Sequence, residues 1–262
     1  MSHARRLMLL VLAVIVAVAL LAGVGVAVLS GDGTGPRQGR STVAQDLPGT
    51  VVLVPGYGGS TSALEVLAAR LQQDGRSTLV LQLPGEGTGD LVGYADLLDS
   101  AVQQALAAGA PSVDLVGYSA GGIVVRQWLS ENGPGPVRRV VTLGSPHHGT
   151  DVAATGNALA PGQCPEACRQ LVPGSGLLDD LNEGDETPYD LPWVSLWTAV
   201  DETVTPPDSA RLDGATNIVL QDVCPGATTS HSDLPRDPQV QGLVRAALGA
   251  GPVTVPAGCP QA

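Results

Sequence analysis

Between residues 49 and 250, short unbroken apolar runs take turns with helical stripes, and this alternation constrains the fold more than any other feature of the chain. Residues 50–54, 77–83, 112–117, 137–143, 193–200 and 216–221 read as strands rich in Val and Leu, with few polar residues set between them. Helical patterns fill the gaps. One covers 60–73, with Leu64, Leu67, Ala68 and Leu71 on a single stripe and Gly75 just beyond; others cover about 91–108, 123–132 and 239–248. Strands that are apolar on both faces and separated by helices build a mostly parallel sheet with helices covering both faces. The expected class is therefore α/β, with about six strands. Ligands bind such sheets at the carboxyl ends of the strands, so the loops after each strand are the places to look for chemistry. One long excursion, 145–191, interrupts the pattern and holds a short helical piece near 177–181.

The N-terminus is different in kind. Arg5 and Arg6 precede an uncharged run from Leu7 to Leu29. At 1.5 Å per residue, such a helix would span about 35 Å, enough to cross a bilayer core. Residues 1–30 read as an uncleaved signal-anchor, because the run is longer than a signal-peptide core and no A-x-A site follows; a cleaved signal peptide is the alternative. In either case the two arginines put the rest of the chain outside the cytoplasm, anchored to the membrane or secreted. Residues 31–48 read as a linker, 49–250 as one domain and 251–262 as a tail. A formal net charge of −12 argues against nucleic acid as a partner. The expected protein is a monomer.

The four cysteines, Cys164, Cys168, Cys224 and Cys259, suit an oxidising compartment and allow three pairings. Neighbours in sequence are the expected partners: Cys164 with Cys168, and Cys224 with Cys259. A zinc site is the weaker reading, since no His lies near either Cys pair at ligand spacing, and no metal is expected.

Residues 117–121, Gly-Tyr-Ser-Ala-Gly, match G-x-S-x-G. In a chain with 34 Gly the match means little by itself. Its context gives it weight, because it sits between a Val-rich strand and a helix. There a sharp turn pushes the hydroxyl of Ser119 above the sheet, beside the positive end of the helix. A serine nucleophile needs a base. His231 follows the last strand, in Thr-Ser-His-Ser-Asp; His147 and His148 follow the fourth strand and compete with it. His3 lies before the anchor. An acid should orient the base. Asp201 leads the loop after the fifth strand, with Glu202 and Asp208 as alternatives. Backbone N–H donors for a developing oxyanion are expected at Ala120, after the nucleophile, and at Tyr57 or Gly56 in the Gly-rich loop after the first strand.

Val-Pro-Gly-Tyr-Gly-Gly at 54–59, Gly-Tyr-Ser-Ala-Gly-Gly at 117–122, Leu-Gly-Ser-Pro-His-His-Gly-Thr at 143–150, Asp-Glu-Thr-Val at 201–204 and Ser-His-Ser-Asp at 230–233 occur in that order. Taken together they resemble secreted bacterial lipases and esterases, the EstA/LipA-like triacylglycerol lipase group of the α/β-hydrolase superfamily. The resemblance spans about residues 49–249. It implies an α/β-hydrolase fold, hydrolysis of carboxylic esters with lipid-like acyl chains, no cofactor, and a triad in the order Ser119, Asp201, His231. It also implies that 143–150 shapes the site and does not supply the base. Pro55 stands where many lipases carry a His. An acyltransferase, or a hydrolase of phospholipid or cell-envelope esters, would use the same triad. A membrane-tethered binding module on this scaffold would be expected to have lost part of it.

Overall fold

The computed structural model describes residues 43–260. The hydrophobic segment 1–30 and the linker up to residue 42 lie outside the described residues. Among the described residues no helix is long and apolar enough to cross a membrane.

Six strands form one sheet: β1 (Thr50–Val54), β2 (Thr78–Val80), β3 (Val113–Tyr118), β4 (Val137–Leu143), β5 (Trp193–Trp197) and β6 (Thr216–Val219). Their order is β2-β1-β3-β4-β5-β6, and each neighbouring pair is parallel. The chain starts at β1, steps one way to β2, then returns past β1 to β3 and continues in that direction. This reversal puts a switch point between β1 and β3, so their loops diverge and leave a crevice at the carboxyl edge.

Right-handed crossovers place helices on opposite faces when the direction of travel reverses. Helix α1 (Ser62–Gln73) therefore lies on one face, and α2 (Leu91–Ala107) and α3 (Ala120–Asn132) on the other. Alternate strand residues feed the two cores. Val52, Val54, Leu115 and Val140 pack with Leu98, Ile123 and Trp128. Val51, Leu53, Val116, Val141 and Leu196 pack with Leu64, Leu67 and the last helix. In a chain without Phe, Val, Leu and Ala fill both cores, helped by Trp128 and Trp193.

The excursion holds more helix than its apolar pattern predicts: α4 (Asp151–Leu159), α5 (Glu166–Gln170) and α6 (Gly176–Asn182). A short α7 (Leu220–Val223) follows β6 directly, so that strand ends earlier than expected. The last helix is α8 (Pro238–Ala247), capped by the Asp237 side chain on the N–H groups of Gln239 and Val240. Strands β2 and β5 are also shorter than expected, because the chain leaves the sheet once cross-strand pairing stops. The cysteines pair as Cys164–Cys168 and Cys224–Cys259, with Cα–Cα distances of 5.3 and 4.6 Å.

Candidate active site

The turn after β3 is tightly packed at the sheet's carboxyl edge. Ser119 adopts φ 53° and ψ −128°, a left-handed conformation that non-glycine residues hold only when their surroundings force it. The surroundings do so. The Ser119 N–H donates to the Leu143 carbonyl at 2.8 Å, tying the turn to β4. Helix α3 then departs so close to β1 that a Cβ on Gly121 would stand 2.2 Å from the Val54 carbonyl oxygen. The strand–turn–helix junction thus dictates a small residue there and lifts the serine out of the sheet.

His231 opens a short 3-10 turn, His231–Asp233, ahead of α8. Its Nε2 lies 3.0 Å from Ser119 Oγ, and its Nδ1 lies 2.7 Å from Asp201 Oδ2. All three side chains are buried. A carboxylate only accepts, so Nδ1 carries the proton and Nε2 is left to accept from the serine hydroxyl. The other oxygen, Asp201 Oδ1, accepts from the N–H groups of Thr203 and Val204, each at 2.8 Å. The imidazole lies against Gly144, where a Cβ would come within 3.1 Å of Nδ1. Tyr118 completes the setting. Its hydroxyl donates to the His231 carbonyl at 3.2 Å, and its ring centroid is 5.3 Å from the imidazole. Burial, aided by the Asp201 charge, pushes the phenol up to about 12, so it remains a donor across the ordinary pH range.

Asp201 is not the first residue past the strand, as its sequence suggested. Strand β5 ends at Trp197, and a turn over 198–200 intervenes, closed by Asp201 N–H on the Thr198 carbonyl at 3.3 Å. Glu202 and Asp208 are exposed, whereas Asp201 is buried. The competing histidines take other partners. His147 is fully buried, with Nε2 3.1 Å from Thr142 Oγ1, and burial, helped by the Arg126 charge, holds it neutral. His148 pairs with Glu186 Oε1 at 2.9 Å, a bond that raises its pKa.

The loop after β1 runs beside the serine. A Cβ on Gly56 would stand 3.3 Å from Ser119 Oγ. The loop is braced by Gly58 N–H on the Gly87 carbonyl at 3.2 Å and closed by Gly59 N–H on the Gly56 carbonyl at 3.0 Å. The N–H groups of Tyr57 and Ala120 meet no acceptor among the described residues. Also among these residues, no group of three or more His, Cys, Asp or Glu is placed to hold a metal ion. Sequence reasoning missed the Tyr118 hydroxyl, because a donor to a carbonyl 113 residues away has no local signature.

A family model described as the alpha/beta hydrolase fold matches residues 49–164, from β1 into the excursion. The match starts at the first strand and takes in the Ser119 turn. The chain has the α/β-hydrolase fold. Solved structures agree. Lipase B of Aspergillus fumigatus superposes with a TM-score of 0.64 at 19% identity, covering 80% of this chain and 55% of that one. The propeptide form of Bacillus licheniformis lipase BlEst2 gives 0.65 at 21%, covering 86% and 54%. The α/β hydrolase MGS-MChE2, from a lagoon-sediment metagenome, gives 0.51 at 17%, covering 75% and 88%. The chain therefore spans little more than half the length of the two lipases. No curated protein sequence matches it. Within this α/β-hydrolase fold, Ser119 sits at the end of β3, Asp201 in the loop after β5 and His231 in the segment after β6, so three separate carboxyl-edge loops meet at one point.

Proposed function

We propose that the chain is a serine carboxylic-ester hydrolase of the lipase/esterase kind. The observation that carries this reading is the unbroken line from Asp201 Oδ2 through the His231 ring to Ser119 Oγ, at 2.7 and 3.0 Å. In the proposed reaction Ser119 Oγ attacks the ester carbonyl carbon while its proton passes to His231 Nε2. The carbonyl oxygen becomes an oxyanion and takes hydrogen bonds from the N–H groups of Tyr57 and Ala120. The tetrahedral intermediate collapses as His231 gives its proton to the leaving alcohol, and the acyl group remains on Ser119. Water then repeats the sequence, with His231 taking its proton, and the acid leaves. Asp201 stays ionised throughout and supports the imidazolium. The five ordered motifs favour lipid-like esters as substrates, in keeping with the lipases that share the fold.

The two disulfides suit an extracytoplasmic location. With Arg5, Arg6 and the run from Leu7 to Leu29, they support a catalytic domain held outside the cytoplasm by its N-terminal segment.

The test is hydrolysis of short- and long-chain p-nitrophenyl esters by the full chain and its Ser119→Ala variant. Loss of about 10³-fold or more in kcat/KM is the expected result. Equal rates from the two proteins would overturn the assignment. Supplying an alcohol acceptor and finding ester product in place of free acid would redirect it to acyl transfer.

A further inference from the structure

The Gly-Ser-Pro-His-His-Gly-Thr run at 144–150 has histidines that turn away from Ser119, yet it ends on a residue that touches the acid arm. Thr150 is buried, and its one hydroxyl is fully used. It donates to the Thr203 carbonyl at 2.8 Å and accepts from the N–H groups of Thr205 at 3.1 Å and Val152 at 3.3 Å. The Asp151 N–H adds a bond to the Thr205 carbonyl at 2.8 Å. On the other side of the same turn, the N–H groups of Thr203 and Val204 hold Asp201 Oδ1. The peptide units of 203–205 are thus gripped from both sides. If they rotate, the carboxylate loses its two donors and its aim.

We propose that Thr150 is the positioning residue for Asp201, its hydroxyl fixing the 203–205 backbone so that Oδ2 stays directed at His231. Because the same hydroxyl caps α4, the first helix of the excursion, the acid arm and the start of that helix share one anchor. The inference rests on the triad reading above, and it gives the 144–150 motif a job: holding the acid.

The experiment compares Thr150→Val, which keeps the shape and removes the hydroxyl, with Thr150→Ser, which keeps the hydroxyl. Thr150→Val should lower kcat about 10- to 100-fold, as misplaced catalytic groups do, with KM changed less than about 3-fold. The downfield Nδ1–H resonance of His231 should broaden or vanish. Thr150→Ser should restore the rate and the resonance. A Thr150→Val protein with wild-type kcat and resonance would overturn the proposal, and so would Thr150→Ser behaving like Thr150→Val. If Thr150→Val does not fold, Thr150→Ala replaces it under the same criteria. The resonance is read without turnover, so failure of the ester-hydrolase reading, seen as Ser119→Ala at full rate, is distinguishable from failure of this one.

Discussion

Two histidines stand at the same edge of the sheet in opposite surroundings. His231 has a carboxylate on one nitrogen and a hydroxyl on the other, the pattern a proton carrier needs. His147 has one hydroxyl partner, a second nitrogen without a partner among the described residues, and the Arg126 charge nearby. Burial keeps its ring neutral in the folded protein, well below 6.5 in pKa. Below pH 6.5 the unfolded chain takes a proton on this ring and the folded chain does not. Stability therefore falls with falling pH, by up to about 1.4 kcal/mol per pH unit from this group. His147→Gln should flatten that slope: the stability gap between variant and wild type, measured by urea denaturation, should shrink or reverse between pH 7.5 and 5. Parallel curves at all pH values would show that His147 titrates normally.

At the scale of elements, the excursion depends on borrowed interactions. Helix α4 buries only Ala153 and begins on the Thr150 cap. Helix α5 has five residues, is tied by its Cys168 to Cys164 just before it and donates Ala167 N–H to the Thr88 carbonyl at 3.2 Å. Isolated helices this short are not stable in water, so their apolar pattern is too thin to read and tertiary contacts decide. Helix α6 is held through Arg126 on α3, which donates to Asn182 Oδ1 at 2.8 Å and to the Leu181 carbonyl at 2.5 Å. Burial lowers this guanidinium to about 10, still charged near neutrality, and it faces the negative end of the helix. Arg126→Met keeps the stem and removes the fork. We expect a loss of about 2–4 kcal/mol and faster amide exchange over 176–182 than elsewhere. Unchanged exchange there would mean that α6 is held by packing alone.

For the whole molecule, the Cys224–Cys259 bridge ties the tail back to the domain across a separation of 35 residues. Closing a loop of that size removes about 4 kcal/mol of unfolded-state entropy, against about 2 kcal/mol for the Cys164–Cys168 loop. The double variant Cys224→Ser/Cys259→Ser should therefore lose more in Tm than Cys164→Ser/Cys168→Ser, by about 4–8 °C. Equal losses would show that strain or local packing outweighs chain entropy. Beneath the sheet, Asp114 lies wholly buried inside β3, with Arg76 and Arg138 on its Oδ2 at 2.5 and 2.6 Å. Arg138 also donates to the Leu248 carbonyl at 2.7 Å, and Arg139 to the Ala247 carbonyl at 2.7 Å, so this charge cluster caps the end of α8. Nothing in the local sequence marks Asp114 as the centre of such a cluster.

The order of strands and helices, the Ser119 turn and the set of candidate partners were legible in the sequence, because periodicity and turn chemistry act over a few neighbouring residues. Choosing among those candidates depended on burial and long-range pairing. Folding set His231, and not His147 or His148, beside Ser119; it buried Asp201 while leaving Glu202 and Asp208 in water; and it set the Thr150 hydroxyl against a turn more than fifty residues downstream. A side chain's partner across such a distance is fixed only when the sheet closes its register, and no local pattern encodes it.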